Sequence, residues 1–167
     1  MRVDTSAYIC AAKNAVLKVG KLREMGKKRV VFTTGVYDLY HTGHILYLEN
    51  AALLGDALVV AVDSDARVKR QKDPRKPVMR QDDRLVAVAS NRAVDCAFIF
   101  EDFDEAFQAV KPEVWVYSPT SDLGEHARRL VMAQAIGTDV VAVESKSAIH
   151  TSGLIADIVR RFGPPVP

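Results

Sequence analysis

Residues 30–44 read VVFTTGVYDLYHTGH, an apolar β-branched run that stops at Gly35 and leads to two of the chain's four histidines, three residues apart around Gly43. The first part has the composition of a strand. The last part opens a helix whose apolar positions continue through Ile45, Leu48, Ala52 and Leu53 to Gly55. A strand turning directly into a helix begins a βαβ unit. In open sheets built from such units, ligands bind beyond the carboxyl ends of the strands. Residues 35–44 therefore sit where a ligand would be met.

His41 and His44 fit three kinds of chemistry. The free N–H groups of a helix start favour a phosphate, and two imidazoles would add donors beside it. The same pair could be half of a metal site, or two histidines that only pack. A zinc site needs further ligands, and His126 and His150 are distant in sequence. Neither GxxxxGK[ST] nor GxGxxG occurs at this turn. The residues alone leave anion, metal and packing open.

Outward from this turn the same alternation repeats. ALVVAVD at 57–63 is continuously apolar, as a parallel strand buried on both faces should be. VDCAFIF (94–100), EVWVY (113–117) and DVVAVE (139–144) read as the third to fifth strands. Helical patterns occupy 6–26, 82–93, 104–110 and 125–137, and a last one runs from Thr151 or Ser152 to Arg161. Residues 66–80 are basic, contain Pro74 and Pro77, and read as a loop. The pattern predicts an α/β domain with a parallel sheet covered on both faces. A helical extension is expected over 1–28, the domain over 29–162 and a tail over 163–167.

Composition narrows the class. With 167 residues, 49% hydrophobic and 26% charged, the chain is an ordinary single-domain globular protein. A net charge of +2 gives no reason to expect a nucleic-acid partner. No apolar run approaches the roughly 18 residues of a membrane span. Asp4, Lys13, Lys18 and Lys21 interrupt any leader-like core, so a cytoplasmic protein is expected. Cys10 and Cys96 lie in apolar contexts without metal-site spacing and are expected as buried free thiols.

Thr34 to His44 resembles the TGxFDxxHxGH signature of the cytidylyltransferase-like nucleotidyltransferases. Four further stretches match in order: LGDALVVAVDSD (54–65), VKRQKDPRKPV (68–78), DDRLVAVASNRAVD (82–95) and IHTSGLI (149–155). Within that superfamily the similarity is greatest to the adenylyltransferases that make ADP-heptose from heptose 1-phosphate, with glycerol-3-phosphate cytidylyltransferase next. The resemblance implies a Rossmann-like three-layer sandwich, its five-stranded parallel sheet ordered 3-2-1-4-5, in a homodimer. It implies transfer of NMP from ATP or CTP to a sugar phosphate or polyol phosphate, with pyrophosphate leaving and Mg²⁺ accompanying the NTP. No protein ligand to a metal is expected, nor a nucleic-acid or membrane partner.

The resemblance also assigns residues. His41 and His44 would bind the phosphates and stabilise the reacting phosphorus, with Lys69 and Lys72 as a basic pair beside them. Thr33, Thr34, Gly35, Val36, Tyr37 and Gly43 around the turn would belong to the nucleotide site, as would Asp65, Thr151 and Ser152. Tyr37 fills the signature's aromatic position, a core position by itself. Arg84 either holds a phosphate or pairs with a neighbour such as Asp82 or Asp83. Asp38 would order the motif, as an Asx turn or helix cap does. His150 stands where the family has serine, either as a further donor or simply exposed.

One stretch departs from the pattern. Where relatives carry a KGGD-like or MGDD-like turn after the fourth strand, this chain reads VWVYSPTSDLGEH, with Tyr117 and Thr120 at the lysine and aspartate positions and Asp122 two residues further on. The departure keeps a second reading alive, a nucleotide-binding regulatory protein without turnover. Trp115 is expected in the core rather than beneath a base.

Overall fold

The computed structural model describes residues 5–119, 126–144 and 147–163. Five strands, β1 (Val30–Gly35), β2 (Ala57–Asp63), β3 (Cys96–Phe100), β4 (Val114–Tyr117) and β5 (Asp139–Ala142), form one sheet. All neighbours are parallel, in the order β3-β2-β1-β4-β5. This is the expected Rossmann-like arrangement, whose order reverses beside β1.

Successive side chains of a strand point to opposite faces, and here both faces are covered. Val30, Phe32, Val59, Ala61, Phe98 and Trp115 face helices α1 (Ala15–Glu24) and α5 (Phe103–Val110). Val31, Leu58, Val60, Val62, Val114 and Val116 face α2 (Thr42–Ala52) and α4 (Gln81–Ala89). That double burial explains why β2 is one continuous apolar run. Trp115 is in the core as expected, its ring 5.4 Å from that of Phe103.

Two segments differ from the sequence reading. The first helix begins only at Ala15 and buries Ala15, Val19 and Leu22, at helical spacing, while Val16 is exposed. Before it, two short 3-10 turns flank Ile9, which makes a parallel bridge to Ala97. Ile9 thus pairs with a strand edge rather than continuing a helical face. The helix ends at Gly26 (φ 90°), with Lys27 N–H on the Leu22 carbonyl and Gly26 N–H on that of Arg23, a Schellman cap.

The second difference is at 66–80, where α3 (Asp65–Gln71) replaces the first half of the expected loop. The Ser64 side chain caps it by accepting the Arg67 N–H at 3.0 Å. Only Arg67 and Val68 of α3 are buried, so too few apolar positions carried its periodicity. Helix α4 stops at Ala89 rather than near Ala93, where the Asn91 side chain accepts the Ala93 N–H and turns the chain. The remaining helices are α6 (His126–Ala135) and α7 (Thr151–Phe162). Thr120, Asp122 and the last four residues of the expected tail lie outside the described residues.

Candidate active site

The turn after β1 is shaped by backbone that side chains rarely adopt. Tyr37 (φ 54°) and Leu39 (φ 46°) both take left-handed conformations. Gly35 does not. Its need is space, since an added Cβ would lie 3.0 Å from the Tyr37 ring. Asp38 holds the turn, although it does not cap α2. Its Oδ1 accepts the N–H groups of Leu39 (3.1 Å) and Met79 (2.9 Å), and Oδ2 accepts that of Val78 (2.8 Å). The Asp38 carbonyl accepts the Thr151 hydroxyl at 2.9 Å. One buried aspartate therefore joins the β1–α2 turn, the segment before α4 and the start of α7.

The cap of α2 is His41, whose Nδ1 accepts the Gly43 N–H at 3.1 Å. With Nδ1 accepting, the proton of the neutral ring sits on Nε2. The His41 and His44 rings stack with centroids 4.0 Å apart. Tyr40 lies parallel to His44 at 5.6 Å, and Tyr37 meets it edge-on at 5.4 Å. Burial, then the charge His41 would carry, pushes His44 down to about 4, with Asp38 opposing weakly. Burial and then His150 lower His41. Both imidazoles are neutral N–H donors at pH 7, and His44 Nδ1 is buried without a hydrogen-bond partner. Gly43 is needed for this packing, because a Cβ there would come within 2.8 Å of the His41 ring and 3.0 Å of the Ile149 carbonyl.

A cavity of about 500 Å³ opens at the carboxyl ends of β1, β2 and β4. His41, His44, Lys72 and Thr151 meet around it with Thr34, Gly35, Val36, Tyr37, Asp38 and Gly43. Lys72 is the C-cap of α3, His150 and Thr151 are the N-cap and first residue of α7, and all three line the cavity. His150 is both exposed and at the cavity edge.

Five of the expected site residues lie outside the lining. Thr33 is buried and bonded to the Tyr47 hydroxyl at 2.6 Å, and that hydroxyl also bonds the Val116 carbonyl. Lys69 is exposed on α3, and Ser152 is exposed on α7. Arg84 is completely buried and pairs with Asp65 at 2.7 Å, not with Asp82 or Asp83. Its other N–H groups donate to the carbonyls of Asp63 (2.7 Å), Met79 (3.1 Å) and Val36. Arg84 and Asp65 thus form a brace beneath the site.

Several lining residues were not anticipated. Arg67 donates to Asp63 Oδ1 at 2.7 Å and to the Glu101 carbonyl at 3.0 Å, with its guanidinium 5.0 Å above the Phe100 ring. Burial raises the Asp63 carboxyl, and Arg67 opposes that shift. Asp63 ends β2 and Arg67 lies on α3, so their pairing runs across the strand-to-helix turn and follows no helical spacing that the sequence shows. Lys76, Tyr117 and Arg129 also reach the cavity, and the Arg129 guanidinium lies 4.2 Å from the Phe103 ring centre. Among the described residues no group of three or more His, Cys, Asp or Glu could hold a metal ion. No helix among them is long and apolar enough to cross a membrane.

The fold is an α/β sheet whose order reverses at the turn that carries His41 and His44, and a cytidylyltransferase-like family model matches residues 32–160. The chain belongs to the cytidylyltransferase-like family. Among curated relatives it is 37% identical over 153 residues to the bifunctional protein HldE of Aliarcobacter butzleri, covering 89% of this chain and 31% of that one. It is 32% identical over 148 residues to HldE of Helicobacter pylori, covering 87% and 31%. The chain thus spans about a third of the length of these relatives. A solved structure, the lipopolysaccharide core biosynthesis protein from Thermoplasma volcanium, superposes with a TM-score of 0.63 at 26% identity, covering 71% of this chain and 98% of that one.

Proposed function

We propose that this chain transfers NMP from an NTP to a sugar phosphate, as a heptose 1-phosphate adenylyltransferase does. The observation that carries the reading is the stacked His41–His44 pair at the start of α2, facing a cavity shared with Lys72 and the start of α7. The ordered motif set supports adenylyl transfer to a heptose 1-phosphate. The lipopolysaccharide role stated for the Thermoplasma protein supports a sugar phosphate acceptor.

In this reaction an acceptor phosphate oxygen attacks the α-phosphorus, and the bond to pyrophosphate breaks. The nucleophile is already anionic, so the task is to bring two anions together and to stabilise the charge of the transition state. The Nε2–H of His41 and the His44 ring offer donors without reorganisation. The N-termini of α2 and α7 add oriented N–H groups, and Lys72 adds a full charge. An arriving phosphate favours protonation of both imidazoles, so binding takes up protons.

Mg²⁺ would come with the triphosphate. The carboxylate oxygens of Asp38 are both engaged by backbone N–H groups, and Asp63 pairs with Arg67. The phosphates themselves are the ion's natural ligands. Held by the phosphates, the ion would supply neutralisation of charge on the leaving pyrophosphate.

The test incubates the protein with Mg²⁺, each of the four NTPs and a panel of sugar and polyol phosphates, with pyrophosphate as readout. Release is expected with ATP and a heptose 1-phosphate. Nucleotide binding without release for any pair would overturn the reading.

A further inference from the structure

Cys10 and Cys96 are 86 residues apart in sequence, yet their Sγ atoms lie 3.3 Å from each other. Backbone contacts set this approach. Ile9 bridges to Ala97, and the Cys10 N–H donates to the Ala97 carbonyl at 3.0 Å. Strand β3 is an edge of the sheet, so residues 9 and 10 lie along an otherwise open edge. Cys96 is fully buried and Cys10 half-buried, so Cys10 is the member of the pair nearer to solvent.

We propose that Cys10 and Cys96 are a reversible redox pair that a low-molecular-weight disulfide closes into an intramolecular disulfide, fastening the N-terminal segment across the edge strand β3. The Cys10 thiolate attacks one sulfur of the small disulfide RSSR, forming Cys10–S–S–R and releasing RS⁻. The Cys96 sulfur then attacks the Cys10 sulfur, forming the Cys10–Cys96 bond and releasing a second RS⁻. The two thiol protons pass to the two RS⁻ groups, so RSSR is reduced to 2 RSH as the cysteine pair is oxidised.

Local chemistry favours that order. The hydrogen bond from Cys96 and the nearby Lys18 charge lower Cys10, although burial opposes them. Cys96 is raised, chiefly by its hydrogen bond to Cys10 and then by burial. Capping Cys10 as a mixed disulfide removes the larger of these two causes. The closed bond constrains a long loop, a geometry that stabilises by restricting the unfolded chain.

The test exposes the reduced full chain overnight to millimolar oxidised glutathione. Thiol titration, intact mass and non-reducing peptide mapping are the readouts. Free thiols should fall from two to none, the mass by about 2 Da, and a Cys10–Cys96 peptide should appear that dithiothreitol dissolves. The oxidised chain should melt several degrees higher. Cys96→Ser should stop at a glutathione adduct on Cys10, and Cys10→Ser should leave Cys96 unreacted. Wild-type protein that retains both thiols, keeps glutathione on Cys10, or cross-links only between chains would overturn the proposal. The wild-type peptide map decides alone if a variant fails to fold.

Discussion

The Asp38 carboxylate receives the backbone N–H of Met79 at 2.9 Å, across 41 residues of sequence. The contact fixes where the segment between Lys72 and α4 returns to the sheet, and with it the side of the cavity that carries Lys72 and Lys76. Replacing Asp38 by Ala leaves the N–H groups of Val78 and Met79 without their carboxylate acceptor. The expected cost is about 2–4 kcal/mol, read from urea denaturation, with turnover falling as well. A midpoint within error of wild type would show that these bonds do not hold the turn.

Substituting Ala for His41 or for His44 should each lower pyrophosphate release by roughly 10²-fold or more if the rings stabilise transition-state charge. The effect should fall mainly on kcat. Unchanged turnover in either variant removes that residue from the mechanism.

Lys72 and Lys69 separate cleanly by position. Lys72 lines the cavity, whereas Lys69 points from an exposed part of α3 outside it. Lys72→Ala should reduce kcat/KM for the nucleotide about tenfold or more, the scale of one charged contact. Lys69→Ala should stay within about threefold. Equal losses in the two variants would mean that α3 moves to bring Lys69 in.

His44 has a pH signature of its own. Its folded value near 4 lies below the 6.5 of an ordinary histidine. Between those values the unfolded chain binds a proton that the folded ring refuses, so stability rises with pH across this window and falls on acidification. The contribution is on the order of 3 kcal/mol. An NMR titration of its Cε1–H should show a midpoint well below 6.5 in the free protein, moving upward when nucleotide is bound. A midpoint at or above 6.5 without ligand contradicts the burial argument.

Gly43→Ala should damage activity far more than stability. The new methyl group would press on the His41 ring and the Ile149 carbonyl, which meet there. A loss of turnover of about 10²-fold with a melting shift of a few degrees is expected. A fully active variant would show that the rings have room to relax.

Strand positions were legible because both faces of each central strand are covered, so β2 left an uninterrupted apolar record in the sequence. Helix α3 was not, since two buried residues among Lys, Arg and Gln do not make a periodic face. The strand–turn–helix reading put His41 and His44 where a ligand would be met, whereas Lys72 came only from the family resemblance, which named Lys69 equally. Arg84 could not be placed, because three of its partners are carbonyl oxygens, and backbone groups have no letter. The same holds for Asp38, whose acceptor role involves the amides of residues 78 and 79. Side chains that answer to backbone are the ones a sequence hides.

Arg84 also has a mechanical consequence. The ladder between β1 and β2 ends at the pairing of Gly35 with Val62. Just past it, the guanidinium of Arg84 grips the carbonyl of Val36 on one side and that of Asp63 on the other. The two strand ends are riveted at a set gauge just beyond the last rung. The mouth of the cavity inherits its width from a cation that stays outside it, so tuning this opening for a larger or smaller guest would begin under the floor.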